Sequence, residues 1–458
     1  MDAVNNSLIK GTMLISNQFG IVNHVSKLPR LNYDPKLVSF GIWPSNTLAF
    51  GAEKYEGRSS GCNFDLQKSF MGTLGETVER YCPVFYNKEN MILSSYKNLK
   101  VHAIPPSEYA LFHEKQYAQE NYPLHRFDEN IELHWDKCMD ITNGKETWVP
   151  GACIYLPWSC EKQWINVSTS TGLAAHTNWD KALLVALHEV IERDSFSLTW
   201  WQKISAPKII IDEDISHFIH ERFPASYEWH FMDITYDLGI PTVYGICFGE
   251  AEYGKFVAVG TATRDTYGEA LKKVILEMGQ SVSYFRYLLG EKKNWQPSEN
   301  FHTLLDFEDH SILYIKKPEL CEVFKIWTET KPTRKIDFLE ESARSTKENI
   351  RHITSVLKSK GYNVLVKDIT TPDVNQAGFY CLRVIVPQLI QMGGAYSFYF
   401  LGGKRLYTIP QELGYKCYPF EELNVLFTAK KLTIVASPHN ETLYLFLLRH
   451  IKIKSIIR

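Results

Sequence analysis

No two cysteines of this chain form a CxxC pair, neither charge sign dominates, and no long apolar run is present. Each absence closes off a class of function. The nine cysteines, Cys62, Cys82, Cys138, Cys153, Cys160, Cys247, Cys321, Cys381 and Cys417, come no closer than Cys153 to Cys160, which is not a zinc-knuckle spacing. A formal charge of −2, from 50 Lys and Arg against 52 Asp and Glu, provides no basic field for DNA or RNA, so no nucleic-acid partner is expected. The opening stretch MDAVNNSLIKGTMLISNQFG lacks a basic segment followed by an apolar core, and no run of about 18 apolar residues occurs. Together these absences predict a cytoplasmic protein with free, mostly buried thiols. What is present is 458 residues, 45% hydrophobic and 13% aromatic, enough to bury a sizeable core in one large domain or two lobes.

One pattern recurs three times. Aligned without gaps on Ser69, Ala182 and Ala270, each copy places a glutamate seven positions later, at Glu76, Glu189 and Glu277. Three residues further on stands a second carboxylate or its amide, at Glu79, Glu192 and Gln280. In the first two copies an arginine follows at once, Arg80 and Arg193. At about 100° per residue, Glu189, Glu192 and Arg193 share one side of a helix with Ala182 and Ala186, while Leu183, Leu187, Val190 and Ile191 spread over the other. Leu184 and Val185 fall between, so the helix is apolar nearly all round and is expected to be buried. Around Glu76 the small residues Ser69, Gly72 and Thr73 again lie beside the acids, leaving room for a ligand.

Buried carboxylates need cations, or they take up protons or destabilise the fold. Two arginines cannot neutralise five glutamates, so a divalent metal is expected. Mg²⁺ bound through carboxylates keeps waters and meets phosphate oxygens, and the planar forks of Arg80 and Arg193 suit phosphate. Before each helix lies a small, hydroxylated stretch: Ser59 to Gly61, Ser168 to Gly172, and Gly260 to Thr263. These are read as turns able to offer backbone N–H groups near helix starts. The chemistry expected is Mg-nucleotide binding.

The same residues carry a family resemblance. SSGCNFDLQKSFMGTLGETVERY resembles the first nucleotide-binding motif of the YcaO family, STSTGLAAHTNWDKALLVALHEVIERDS the second, and ALKKVILEMGQS the third. The later stretches VLVKDITTPDVNQAGFYCLRVIVPQLIQM and YFLGGKRLY are similar to the C-terminal half of the stand-alone subunits of streptolysin-type azole clusters. The resemblance spans roughly residues 55 to 430. It implies a mixed α/β, YcaO-type fold of repeated strand, turn and helix units converging on a Mg-ATP site, with residues 1–54 an N-terminal subdomain or docking element and 55–458 the ATP-binding catalytic domain. It also implies that Cys, Ser or Thr of a ribosomal precursor peptide attacks the preceding amide, whose oxygen is phosphorylated by ATP and leaves as phosphate to give an azoline. By position, Glu76, Glu79, Glu189, Glu192, Glu277 and Gln280 would hold metal or its waters, and Arg80, Arg193, Ser60 and Ser170 would bind ATP phosphates. No catalytic nucleophile is implied.

The implied partners are a leader-binding, ubiquitin-activating-enzyme-like docking protein, for which no room precedes the first motif, and a flavin-dependent azoline dehydrogenase. The chain is expected as a homodimer or as part of a hetero-oligomer. Departures from the family pattern are Gly72 and Thr73 where Ser and Ala are usual, Lys181 where an acid is common, and no Pro-rich PxPxP tail. Thioamide or amidine formation, or a degenerate scaffold that binds nucleotide or peptide, therefore stay open as alternatives.

Elsewhere, Cys62 is read as a core or loop thiol that lacks an assigned base, His188 as a packing residue, and His176 as a turn residue near a ligand. Strands are expected at Trp164–Val167, Lys208–Ile211, Pro241–Cys247, Phe256–Val259, Tyr362–Val366 and Tyr380–Val386, and a helix near Glu348–Lys360. Residues 290 to 345 read as an exposed connection. The tail LYLFLLRHIKIKSIIR reads as a last element packed on the core, or as an amphipathic contact.

Overall fold

The computed structural model describes residues 2–53, 58–299, 301, 303–396 and 398–423. The tail beyond Leu423, with both readings of it, lies outside the described residues. Among the described residues the strands form three sheets. A three-stranded antiparallel sheet runs Val22–Lys27, Val38–Pro44, Ser59–Asn63. A six-stranded sheet orders Ile92–Ser95, Glu132–Asp140, Leu365–Asp368, Tyr380–Ile385 and Leu173–His176, with Lys145–Pro150 also paired to Glu132–Asp140. A five-stranded sheet orders Gly254–Thr263, Thr242–Ala251, Glu228–Asp233, Lys208–Ile209 and Pro332–Arg334.

Each sheet ends in an edge strand that turns directly into one acidic helix. Ser59–Asn63 leads to Leu66–Tyr81, Leu173–His176 to Trp179–Trp201, and Gly254–Thr263 to Tyr267–Glu291. The helices begin in register because each has a capping side chain at the same aligned position. Asp65, Asn178 and Thr266 accept the backbone N–H of Lys68, Lys181 and Glu269, satisfying one of the donors a helix start leaves bare. The gapless alignment is thus a structural one, and all three units are strand, turn and helix.

Packing explains why the helices tolerate so little polarity. Leu183, Leu187, Val190 and Ile191 of the second helix pack with Val366, Leu382 and Val384 of the six-stranded sheet and with Ile353 and Leu357 of the helix Thr346–Ser359. Each such buried aliphatic contributes about 1.5–3 kcal/mol. Val185 is the exception, facing solvent. In the third helix Leu271, Val274, Ile275 and Met278 bury against Val243, Cys247 and Ala258. In the first, Leu74 and Val78 join Val22, Ile42 and Leu173. That helix lies so close on its own strand that a Cβ at Gly61 would come within 2.6 Å of Thr73 Oγ1.

Several expected elements are corrected. Trp164–Val167 is irregular chain, and the strand before the second helix is Leu173–His176. Ile165 is buried with Leu133 and Trp135, and β-forming side chains mark such burial without a backbone ladder. The strand expected at Lys208–Ile211 is Lys208–Ile209, and that at Tyr362–Val366 is Leu365–Asp368. The stretches Ser59–Gly61 and Gly260–Thr263, read as turns, are strand. Residues 290–345 are not merely an exposed connection. They contain the helix Phe307–Lys316 and bury Ile312, Leu313, Phe324 and Trp327, whose helical spacing is masked by the charges between them.

Candidate functional site: a cycle of three acidic helices

The three units close on one another in a ring. Backbone of the first helix rests on the second edge strand, where a Cβ at Gly75 would lie 3.6 Å from the Ala175 carbonyl. Glu192 of the second helix reaches the third edge strand, accepting Thr261 Oγ1 at 3.2 Å and the Thr263 N–H at 3.2 Å. Gln280 of the third helix returns to the first, donating Nε2 to Ser60 Oγ at 3.3 Å and accepting from Cys62 Sγ at 3.4 Å. Edge strands make this possible, because one side of each ladder has no strand partner and its polar groups are available to the neighbouring helix.

Within the ring the carboxylates are shared among few cations. Arg80 holds Glu76 at 2.9 Å and Glu79 at 3.0 Å. Arg193 holds Glu189 at 3.4 Å and stands 3.9 Å from Glu192. The third copy has Ser281 where the others have arginine, and there Lys273 pairs with Glu277 at 3.0 Å. Glu189 also accepts the Gly172 N–H at 3.3 Å.

Burial dominates the electrostatics. It pushes Glu79 well above the usual carboxylate range, against Arg80, with Glu76 and Glu189 adding repulsion from both helices. It raises Glu189 against Arg193 and Arg80. Glu192 is pushed up to about 7 by burial, with Glu277 and Glu189 adding to it against Arg193. For Arg193, burial acts downward, but Glu192, Glu189 and Glu277 together outweigh it and raise its pKa. Charges on different helices therefore act on one another, as one centre requires.

This donor set fits a hard cation accompanied by an anion. The oxygens are carboxylate and amide, and burial makes Glu79, Glu189 and Glu192 prone to protonation. Among the described residues no group of three or more His, Cys, Asp or Glu side chains is gathered closely enough to hold a metal ion by itself, so a cation here would need phosphate oxygens and waters to complete its shell. Arg193 Nη1 has a thioether, Met392 Sδ at 3.8 Å, as its hydrogen-bond acceptor, a weak partner for a guanidinium. Gly72, four residues before Glu76, has open space where a side chain would be.

The remaining sequence-derived candidates fall as follows. Ser60 lies on the first edge strand against Gln280. Ser170 sits just before the second, its carbonyl accepting Leu173 N–H at 2.9 Å. The Cys62 thiol is engaged by Gln280 and the Leu276 carbonyl and is pushed up to about 12 by burial, which leaves it unreactive. His188 is buried and 3.1 Å from Asp265 in the turn before the third helix. His176 Nδ1 accepts the Asn178 N–H, and burial pushes its pKa down to about 4. Thr261 and Thr263 fall within the hydroxylated stretch that the sequence singled out, but as strand rather than turn, whereas Lys273 was missed. Lys273 was detectable as a cation four residues before Glu277. The backbone N–H of Thr263 is offered as the sequence suggested, but to Glu192 of the second helix.

A family model described as YcaO cyclodehydratase, ATP- and Mg²⁺-binding, matches residues 60–390. The chain belongs to the YcaO family. ATP and Mg²⁺ are that family's cofactors by its description. A structure of a heterocyclase in complex with substrate and cofactor aligns with a TM-score of 0.74 at 21% identity, over 92% of this chain and 56% of that one. YcaO from Methanopyrus kandleri, bound with AMPPCP and Mg²⁺, aligns with a TM-score of 0.61 at 16% identity, over 85% and 90% of the two chains. An uncharacterized protein of Methanothermobacter thermautotrophicus is 30% identical over 127 residues, which are 26% of this chain and 33% of that protein. The chain thus spans about a third of this curated relative and little more than half of the heterocyclase. The structural likenesses show a shared fold.

Proposed function

We propose that this protein is an ATP- and Mg²⁺-dependent cyclodehydratase that converts Cys, Ser or Thr residues of a ribosomal precursor peptide to azolines by activating the backbone amide. The observation that supports this is the ring itself, in which each of three acidic helices, two of them with an arginine fork, reaches the open sheet edge of the next unit. Glu76, Glu79, Glu189, Glu192, Glu277 and Gln280 would hold Mg²⁺ or its waters. Arg80, Arg193, Ser60 and Ser170 would bind the ATP phosphates. Mg-ATP supplies the phosphoryl group that makes an amide oxygen able to leave. The task of the chain is to position reactants and to offset charge.

The reacting nucleophile belongs to the peptide, which agrees with a Cys62 thiol held protonated. Presentation of that peptide is assigned to a separate leader-binding, ubiquitin-activating-enzyme-like protein, and oxidation of azolines to a flavin-dependent dehydrogenase, with the reaction in the cytoplasm. Residues 1–54 are assigned as an N-terminal subdomain or docking element and residues 55–458 as the catalytic domain. The test is nucleotide binding followed by turnover. The purified protein should bind Mg-ATP, with Glu76→Ala and Glu192→Ala each abolishing it; unchanged affinity in both variants removes the site assignment. With precursor peptide and docking partner, each ring should lower the peptide mass by about 18 Da, one water. A gain of about 16 Da would instead identify a thioamide.

A further inference from the structure

Nine positions before the aligned Ser69, Ala182 and Ala270 stand Ser60, Leu173 and Thr261. Two of these hold the second acid, or its amide, of the helix that reaches them: Ser60 holds Gln280, and Thr261 holds Glu192. Glu79 is the corresponding residue of the first helix, and the strand that helix reaches carries Leu173, which has no hydroxyl to offer. Directly across the ladder from Leu173 is Arg383. Residues paired in this way project from the same face of an antiparallel sheet.

Arg383 is 1% exposed, in a strand whose other residues are apolar or uncharged. Its Nε donates to the Cys153 carbonyl at 2.8 Å, while Nη1 is shielded and meets no acceptor among the described residues. Burial pushes its pKa down to about 10, and Glu189 and Glu79 are among the acids that act in the opposite direction. The next residue, Val384, donates its N–H to the Gly172 carbonyl at 2.8 Å, and Gly172 in turn holds Glu189. A guanidinium sealed in a sheet with an idle donor is costly to keep for structure alone, since an apolar side chain would pack there without a charge to desolvate.

We infer that Arg383 is a positioning residue for Glu79, acting by its charge across the second unit where the other two units supply a bonded hydroxyl. Through Glu79 it sets the site for the cation that accompanies the nucleotide, so the inference rests on the Mg-nucleotide reading above. The experiment is calorimetric titration of the full-length protein with a non-hydrolysable ATP analogue at a series of Mg²⁺ concentrations, for the parent, Arg383→Met and Arg383→Lys, with folding checked by circular dichroism. Arg383→Met should weaken Mg-nucleotide binding at least tenfold and raise the Mg²⁺ concentration needed for half-saturation, and Arg383→Lys should recover most of both. Binding by Arg383→Met within twofold of the parent overturns the proposal, as does equal loss in the Lys and Met variants. If Arg383→Met does not fold, a double-mutant cycle between Arg383→Lys and Glu79→Gln decides: coupling of threefold or more supports the pair, and additivity overturns it. A parent that binds no Mg-nucleotide overturns the nucleotide reading and this proposal together.

Discussion

Arg405 offers the most direct test of how the acidic helices are held. It is 4% exposed and sits between Asp194, the residue after Arg193, and Asp237. Its Nε meets both Asp194 oxygens at 3.1 Å, and Nη2 meets Asp194 at 2.7 Å and Asp237 at 2.8 Å. Nη1 donates to Asp237 at 3.0 Å and to the Tyr362 hydroxyl at 2.9 Å. Arg405→Met keeps the length and removes the charge, leaving two buried carboxylates. Breaking a buried pair in this way costs about 3–5 kcal/mol. The Ile390 N–H at 2.9 Å from Asp194 and Lys360 Nζ at 3.4 Å from Asp237 remain, so the lower end, about 3 kcal/mol, is expected.

The sign with pH follows. In the parent, burial raises Asp194 against Arg405, whereas at Asp237 the upward push of burial is overcome by Arg405. Without Arg405 both carboxyls rise above their unfolded value of 3.8. A carboxyl so raised costs stability above its folded pKa and nothing below its unfolded one. The deficit in urea unfolding is therefore largest near pH 8 and shrinks toward pH 5. A loss under about 1 kcal/mol, or a deficit that grows on acidification, would refute the reasoning. Nucleotide affinity should fall with it, because the helix bearing Glu192 and Arg193 loses its anchor to the helix Lys404–Glu412.

Two further outcomes are expected. Gly172 has φ of 84°, and a Cβ there would lie 2.1 Å from the Val384 carbonyl and 2.9 Å from Val190; Gly172→Ala should lose more than about 2 kcal/mol in thermal unfolding and weaken nucleotide binding by moving the donor to Glu189. Glu192, raised from 4.5 to about 7, stays protonated in the folded protein where the unfolded chain would release the proton. Without divalent cations, stability should fall as pH rises from about 4.5 to 7, by roughly 3 kcal/mol in total. Urea titrations across that range should show the slope in the parent and its loss in Glu192→Gln.

The sequence by itself determined that three helices carry acids in one phase, since a seven-residue offset and the 3.6-residue period are properties of the chain alone. It likewise determined the burial of the second helix, which is apolar nearly all round, whereas the caps at Asp65, Asn178 and Thr266 came with the structure. Only the tertiary structure decided that the helices form a ring, since whether Gln280 meets Ser60 or Glu192 meets Thr261 depends on contacts far apart in sequence. Residues 260–263 illustrate the limit: small hydroxylated residues suit a turn locally, yet pairing with Thr242–Ala251 makes them strand. The place of Arg383 opposite Leu173 exists only in the ladder. Helical phase is a local property, whereas sheet edges are defined by which strand is not beside them, and each acidic helix of this protein reaches the edge of the next unit's sheet.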